Sequence, residues 1–260
     1  MNIQAKTPAG EDAALALENS TGFARARVGL IIPSSNRLTE PQFRAYLPAD
    51  IAIHPTRLQM TGRHSKPLDV LAKEVEVAAS ALADARCDVI VFHCTGNSME
   101  HGPEGEQVLL DAVRSQTKGA AMTTAQAVVE GLREMGIGKM VLISPYEQAT
   151  NDHEIDYLGR FGFETLHNVA LNVPVSEGYL SVPPSRWIDV VMNNLRPGAD
   201  GYFLSCTNTT QIDVVERLEA MLGKPVVNSN QATMWACLKA LQGKLGDMRI
   251  VEGAGALMRK

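Results

Sequence analysis

The chain has 260 residues, 45% of them hydrophobic and 20% charged, with a formal net charge of −5. That length holds one large domain or two modest ones, each with its own core, and the acidic balance lacks the basic patch or high pI of a nucleic-acid binder. No apolar run approaches the roughly 18 residues that a membrane span needs, so neither nucleic acid nor membrane is expected as a partner.

Residues 1–25 are polar and rich in small side chains, and read as a flexible leader with a short helix around 12–17. They lack the basic start and apolar stretch of a secretion signal. The first buried strand is Arg27-Val-Gly-Leu-Ile-Ile-Pro33, followed by Ser34-Ser35-Asn36 and Glu40. Ser34 and Asn36 there are either a turn and helix cap or hydrogen-bond donors to a carboxylate. An Ala-rich amphipathic stretch over 70–85 predicts a helix. Asp88-Val-Ile-Val-Phe-His-Cys94-Thr95 is a second strand, ending in Cys-Thr. A helix over 125–135 stops before Gly136, and Lys139-Met-Val-Leu-Ile-Ser-Pro145 is a third strand, with Tyr146 and Asn151 after it. Asp200-Gly-Tyr-Phe-Leu-Ser-Cys206-Thr207 is a fourth, followed by Asn208 and by a helix over 213–222 that stops before Gly223.

These marks repeat. Pro33 and Pro145 are 112 residues apart, and so are Cys94 and Cys206. No gap is needed between proline and cysteine in either copy. A third match drifts: Thr124-Ala125-Gln126-Ala127 resembles Ser229-Asn230-Gln231-Ala232 at an offset of 105. Two strands, two prolines and two Cys-Thr pairs at one offset argue for duplication rather than a chance likeness of buried strands. Strands alternating with helices predict an α/β fold of two pseudo-symmetric lobes, each a parallel sheet flanked by helices. The expected division is residues 26–121 with 225–260 as the first lobe and 122–224 as the second. Ligands in such sheets bind beyond the carboxyl ends of the strands. Both Cys-Thr pairs stand there, one on each lobe, facing one cleft.

The four cysteines are Cys87, Cys94, Cys206 and Cys237. None forms a CxxC pair, which argues against a disulfide framework or structural zinc and for a reducing, cytoplasmic setting. Cys87 and Cys237 read as small core residues. Cys94 and Cys206 read as reactive, because small polar residues and a helix start follow each, and such a setting favours thiolate. Thr95, Thr207, Asn208 and Tyr146 are candidate substrate donors beside them, and Asn151 is a weaker one. His93 should point away from Cys94 along the strand, in a structural role. Glu100 and His101 are expected on a solvated helix face. No GxGxxG or P-loop occurs, so no nucleotide cofactor is implied, and no metal either.

The pattern resembles the aspartate/glutamate racemase superfamily over residues 25–245. Within it, Pro33-Ser34-Ser35-Asn36 with Glu40, Pro145-Tyr146 with Asn151, and Lys224-Pro-Val-Val-Asn-Ser-Asn230 look most like maleate cis-trans isomerases and arylmalonate decarboxylases. The resemblance implies a cofactor-independent enzyme with catalytic cysteines in the cleft between its halves. Decarboxylases of this group usually keep only the second cysteine, so the presence of both favours an isomerase or racemase. The first motif, Cys94-Thr95-Gly96-Asn97 with His93 before it, departs from the isomerase pattern.

The leading expectation is therefore isomerisation of a small unsaturated dicarboxylate such as maleate. By resemblance Cys94 is the nucleophile and Cys206 the proton donor. Donors from Ser34, Asn36, Tyr146, Thr95 and Thr207 would steady the enediolate. A two-cysteine racemase of an amino acid or hydantoin, and an arylmalonate-type decarboxylase, are the alternatives. A non-catalytic small-ligand binding protein is the third. A homo-oligomer is compatible with all of them.

Overall fold

In a computed structural model, which describes residues 24–174, 177–246 and 251–260, the alternation becomes two four-stranded sheets. The leader helix expected at 12–17 lies outside the described residues. In chain order the first half holds β1 (Ala26–Pro33), α1 (Thr39–Tyr46), β2 (Ile51–Leu58), α2 (Leu68–Asp84), β3 (Val89–Phe92), α3 (Thr95–Met99), α4 (Gly102–Arg114) and β4 (Ala120–Thr123). Then come α5 (Thr124–Glu134), β5 (Lys139–Ser144), α6 (Gln148–Arg160), β6 (Glu164–Ala170), α7 (Glu177–Ser181) and α8 (Pro184–Met192). The chain closes with β7 (Gly201–Leu204), α9 (Val215–Leu222), β8 (Val226–Asn228) and α10 (Ser229–Leu245).

The sheets run β2-β1-β3-β4 and β6-β5-β7-β8, with every neighbouring pair parallel. Register carries the duplication to the level of single residues. Val28 pairs with Val89, and Met140 with Gly201, each partner displaced by 112. At the next ladder Ile90 pairs with Ala121, and Tyr202 with Val226. The outer partners now differ by 105, the drift seen between the two glutamines. The copies part on the other side too, where a bulge between Met140 and Val141 shifts the β5–β6 register.

Each central strand is buried on both faces, as parallel sheets require. Val28, Leu30 and Ile32 point into a core shared by both sheets, while Ile31 points into an outer core with α2 and α4. In the second half Met140 and Leu142 join the shared core, and Val141 and Ile143 join an outer core with α8 and α9. This period of two follows from the alternation of Cβ along a strand. Each such aliphatic side chain contributes roughly 1.5–3 kcal/mol by leaving water.

Between the sheets α5 and α10 pack on each other, and Val128, Leu132, Ala232 and Leu238 fill the shared core. Both helices start from a capped strand end. The Thr123 hydroxyl accepts the Gln126 N–H, and Asn228 forms a reciprocal capping box with Gln231. α10 also packs against α1, β1 and β3 of the first half. Residues 226–228 complete the β7 ladder before the chain enters α10. There β7 runs so close to the chain that a Cβ at Gly201 would lie 2.7 Å from the Pro225 carbonyl oxygen. Gly223, at φ +61°, ends α9 in the left-handed conformation expected of a helix stop.

Candidate active site

One cavity of about 470 Å³ lies at the carboxyl ends of the strands from both sheets. Cys94 and Cys206 both line it, one from each half. Of the other expected residues, Asn36, Tyr146, Thr207 and Asn208 are also on its wall. Three are not. Ser34 is exposed outside the wall, held by its own N–H to the Leu58 carbonyl, and Ser35 takes its place. Thr95 is turned inward at the start of α3 and is fully buried. Asn151 is buried beneath the cavity, where it accepts the Ser144 hydroxyl and donates to Asn168.

The second cysteine loop is held from both halves. Asn36 Nδ2 donates to the Thr207 carbonyl and hydroxyl oxygens, both at 3.2 Å. Its Oδ1 caps α1 by accepting the Leu38 and Thr39 N–H groups. Asn36 is thus both cap and clamp, with its amide hydrogens committed to protein. Asn208 Oδ1 accepts the Arg37 N–H at 3.0 Å, so its Nδ2 is the end left to donate into the cavity. Arg57, which sequence reading did not single out, fixes this loop by donating to the Asn36 carbonyl and pairing with Glu40. Cys206 itself has φ +132°, a strained value for a residue with a Cβ.

The two sulfurs meet different partners. Cys206 Sγ accepts the Asn208 N–H at 3.3 Å, and the Tyr146 hydroxyl is close enough to favour its charged form. Cys94 Sγ instead donates to Asn97 Oδ1 at 3.2 Å. Burial pushes both thiols up to about 12. At Cys206 the Tyr146 hydroxyl and the Asn208 N–H oppose that rise; at Cys94 the Asn97 backbone N–H does. Glu100, expected on a solvated face, lines the cavity and accepts from Asn97 Nδ2 at 3.2 Å. His101 is exposed as expected. Tyr179, packed edge-on to Tyr146 with centroids 5.7 Å apart, and Asn172 also reach the wall from the segment after β6, where no motif announced them.

Behind the cysteines runs a buried polar layer. His93 points away from the cavity: its Nε2 meets Asn230 Oδ1 at 2.8 Å and its Nδ1 meets Thr124 Oγ1 at 2.9 Å. Asn230 Nδ2 donates to the Thr207 carbonyl and to Gln42, so Oδ1 must accept, and His93 carries its proton on Nε2. Burial lowers His93 to about 4, against the Asn230 bond, which keeps the imidazole neutral. Asn230 thereby ties the strand end before Cys94 to the loop after Cys206. Asn230→Ala is expected to lower stability by about 1–3 kcal/mol, as unpaired buried polar groups do, and to lower turnover with it. Urea unfolding and a rate assay on one preparation check both.

The equivalent of His93 at the 112 offset is Ser205, and the equivalent of Gln42 is Glu154. Ser205 Oγ donates to Glu154 Oε1 at 2.8 Å. Burial pushes this carboxyl up to about 8, against the Ser205 bond. Cys87 and Cys237 are buried in the cores. Among the described residues no three His, Cys, Asp or Glu side chains are placed to hold a metal ion.

A family model described as arylmalonate decarboxylase matches residues 28–258. The chain belongs to that family. Family members similar to it include the maleate isomerase of Geobacillus stearothermophilus, 29% identical over 246 residues, covering 89% of this chain and 96% of that one. The maleate isomerase of Pseudomonas putida is 31% identical over 246 residues with the same coverage. Among solved structures, a cysteine-to-serine variant of Nocardia farcinica maleate cis-trans isomerase with a covalently bound succinylcysteine intermediate has a TM-score of 0.82 at 26% identity. It covers 90% of this chain and 98% of its own.

Proposed function

We propose that this chain is a maleate cis-trans isomerase that works without a cofactor, through Cys94 and Cys206. The observation that carries the reading is that two cysteines at equivalent repeat positions line one cavity from opposite halves. The similar enzymes named above support the substrate, and the succinylcysteine in one of them supports a covalent sulfur adduct.

Rotation about a double bond requires that the bond become single for a moment. The Cys94 thiol releases its proton to solvent in the cavity and adds through sulfur to one alkene carbon. The π pair moves to the neighbouring carbon and its carboxylate as an enediolate. Tyr146, the Asn208 amide and the Thr207 loop are the donors nearest to hold that charge. Cys206 gives a proton to the enediolate carbon and takes it back. Rotation and expulsion of the sulfur, which recovers its proton, leave the trans alkene. Four free cysteines fit a reducing compartment, the cytoplasm. No helix of the described residues is long and apolar enough to cross a membrane.

The test is proton NMR in deuterated water, with pure protein dialysed against chelator and no added cofactor. Maleate is expected to give the fumarate resonance. Deuterium exchange with racemisation of aspartate, glutamate or a hydantoin would overturn the reading in favour of a racemase. Carbon dioxide loss from an arylmalonate, with maleate untouched, would favour a decarboxylase.

A further inference from the structure

The first motif, Cys94-Thr95-Gly96-Asn97 with His93 before it, departs from the isomerase pattern, and within it Asn97 is the side chain that meets the first sulfur. Its carbonyl oxygen accepts the Cys94 thiol proton at 3.2 Å, and its amide nitrogen donates to Glu100 Oε2 at 3.2 Å. All three residues line the cavity. The thiol donates and a carboxylate oxygen accepts, so this chain has one consistent direction. We propose that Asn97 and Glu100 are positioning residues for Cys94: Glu100 sets the orientation of the Asn97 amide, and that orientation decides whether the sulfur faces an acceptor or a donor.

An acceptor suits a thiol and a donor suits a thiolate. Half a turn about the last side-chain bond of Asn97 would place Nδ2 on the sulfur and Oδ1 on Glu100. The sulfur then meets a donor, which suits its charged form, while the Glu100 carboxylate meets an acceptor, so Glu100 holds the amide in the first orientation. The Asn97 backbone N–H favours the charged sulfur in either orientation, which leaves the amide to decide. Glu100's own charge opposes ionisation of Cys94, in the same direction.

The other ionisable groups facing this cavity are Glu147 and His153 from α6 and its lead-in, and Cys206, Tyr146 and Tyr179 from the second half. Among the described residues none of them is hydrogen-bonded to Asn97 or Glu100. On the helices packed against α3, Glu104 of α4 is paired with Arg160 of α6, and Glu130 of α5 with Lys239.

The inference rests on the proposed role of Cys94, but its test needs no substrate. Iodoacetamide labelling of Cys94, located by tandem mass spectrometry, is timed from pH 6 to 10 in the full chain. The variants are Glu100→Gln, Asn97→Ala and the double variant, with folding checked by circular dichroism. A glutamine at 100 can satisfy the Asn97 amide in either orientation. Glu100→Gln should therefore move the pH profile of labelling down and raise the rate at pH 7 roughly tenfold. In the Asn97→Ala background the same change should raise it less than about threefold, since only the lost charge then acts. An equal rise in both backgrounds would show Glu100 acting by charge alone and would overturn the proposal, as would no rise in either. Maleate turnover is measured separately, so a protein that passes the labelling test but does not isomerise maleate would refute the function and leave the pair standing.

Discussion

Cys94→Ala and Cys206→Ala should each lower maleate turnover by about 10²–10⁴-fold or more, the range for a group that moves a proton or forms the adduct. The two losses should have different origins. Without Cys94 there is no sulfur to make the double bond single. Without Cys206 the adduct can still form and take a proton from solvent, but no thiol on the opposite face removes that proton again. A covalent succinyl adduct on Cys94 should therefore accumulate in the second variant and be absent in the first, as intact-protein mass spectrometry would read. Cys94→Ser should fail as well, because a hydroxyl is a far weaker nucleophile near neutral pH. Cys87→Ala and Cys237→Ala should keep near-normal turnover, since both side chains sit in the cores. If the Cys94 and Cys206 variants fold and turn over maleate like the wild type, the paired-cysteine mechanism is wrong, and other groups of the cavity carry the reaction.

The cysteines could be found in the sequence because strand ends in a parallel sheet are marked by short apolar runs, and the runs came twice at one offset. That offset also fixed register, which is why Val28–Val89 and Met140–Gly201 are equivalent pairs. The drift to 105 had a physical cause that the sequence did not reveal. Each outer strand, β4 or β8, runs directly into a capped helix, and the connections before those strands differ in length. Asn36 was legible as cap or donor, and it is a cap whose amide reaches across to Thr207. Ser34 and Asn151 lie off the cavity wall for one reason: position in a loop or first helical turn does not say which side faces the cavity. Tyr179 and Asn172 were invisible because the segment after β6 has no strand-end motif. Glu154 and Gln42 were within reach, since the 112 offset relates them just as it relates Ser205 to His93.

Glu154 carries the last large effect. It is fully buried on α6, its Oε1 accepts from Ser205, and its Oε2 has no hydrogen-bond partner among the described residues. Burial disfavours the charged form, so the folded protein holds this proton up to about pH 8, whereas an unfolded glutamate loses it near the ordinary carboxylate value. Below the unfolded value both states are protonated and the group is neutral in effect. Between the two values the unfolded state alone is ionised, so stability falls as pH rises. Above about 8 both are ionised and the full loss, roughly 5 kcal/mol, is present. Glu154→Gln has the shape of the protonated acid, keeps an acceptor for Ser205 and cannot ionise. Urea unfolding at pH 5 should find the two proteins nearly equal. At pH 9 the variant should be the more stable by up to roughly 5 kcal/mol. The ionised carboxylate would also raise both catalytic thiols, so wild-type turnover should gain less from alkaline pH than the variant's does. Stability curves for the two proteins that stay parallel from pH 5 to 9 would mean that Glu154 does not change charge in that window, and that its buried oxygen has a partner such as water.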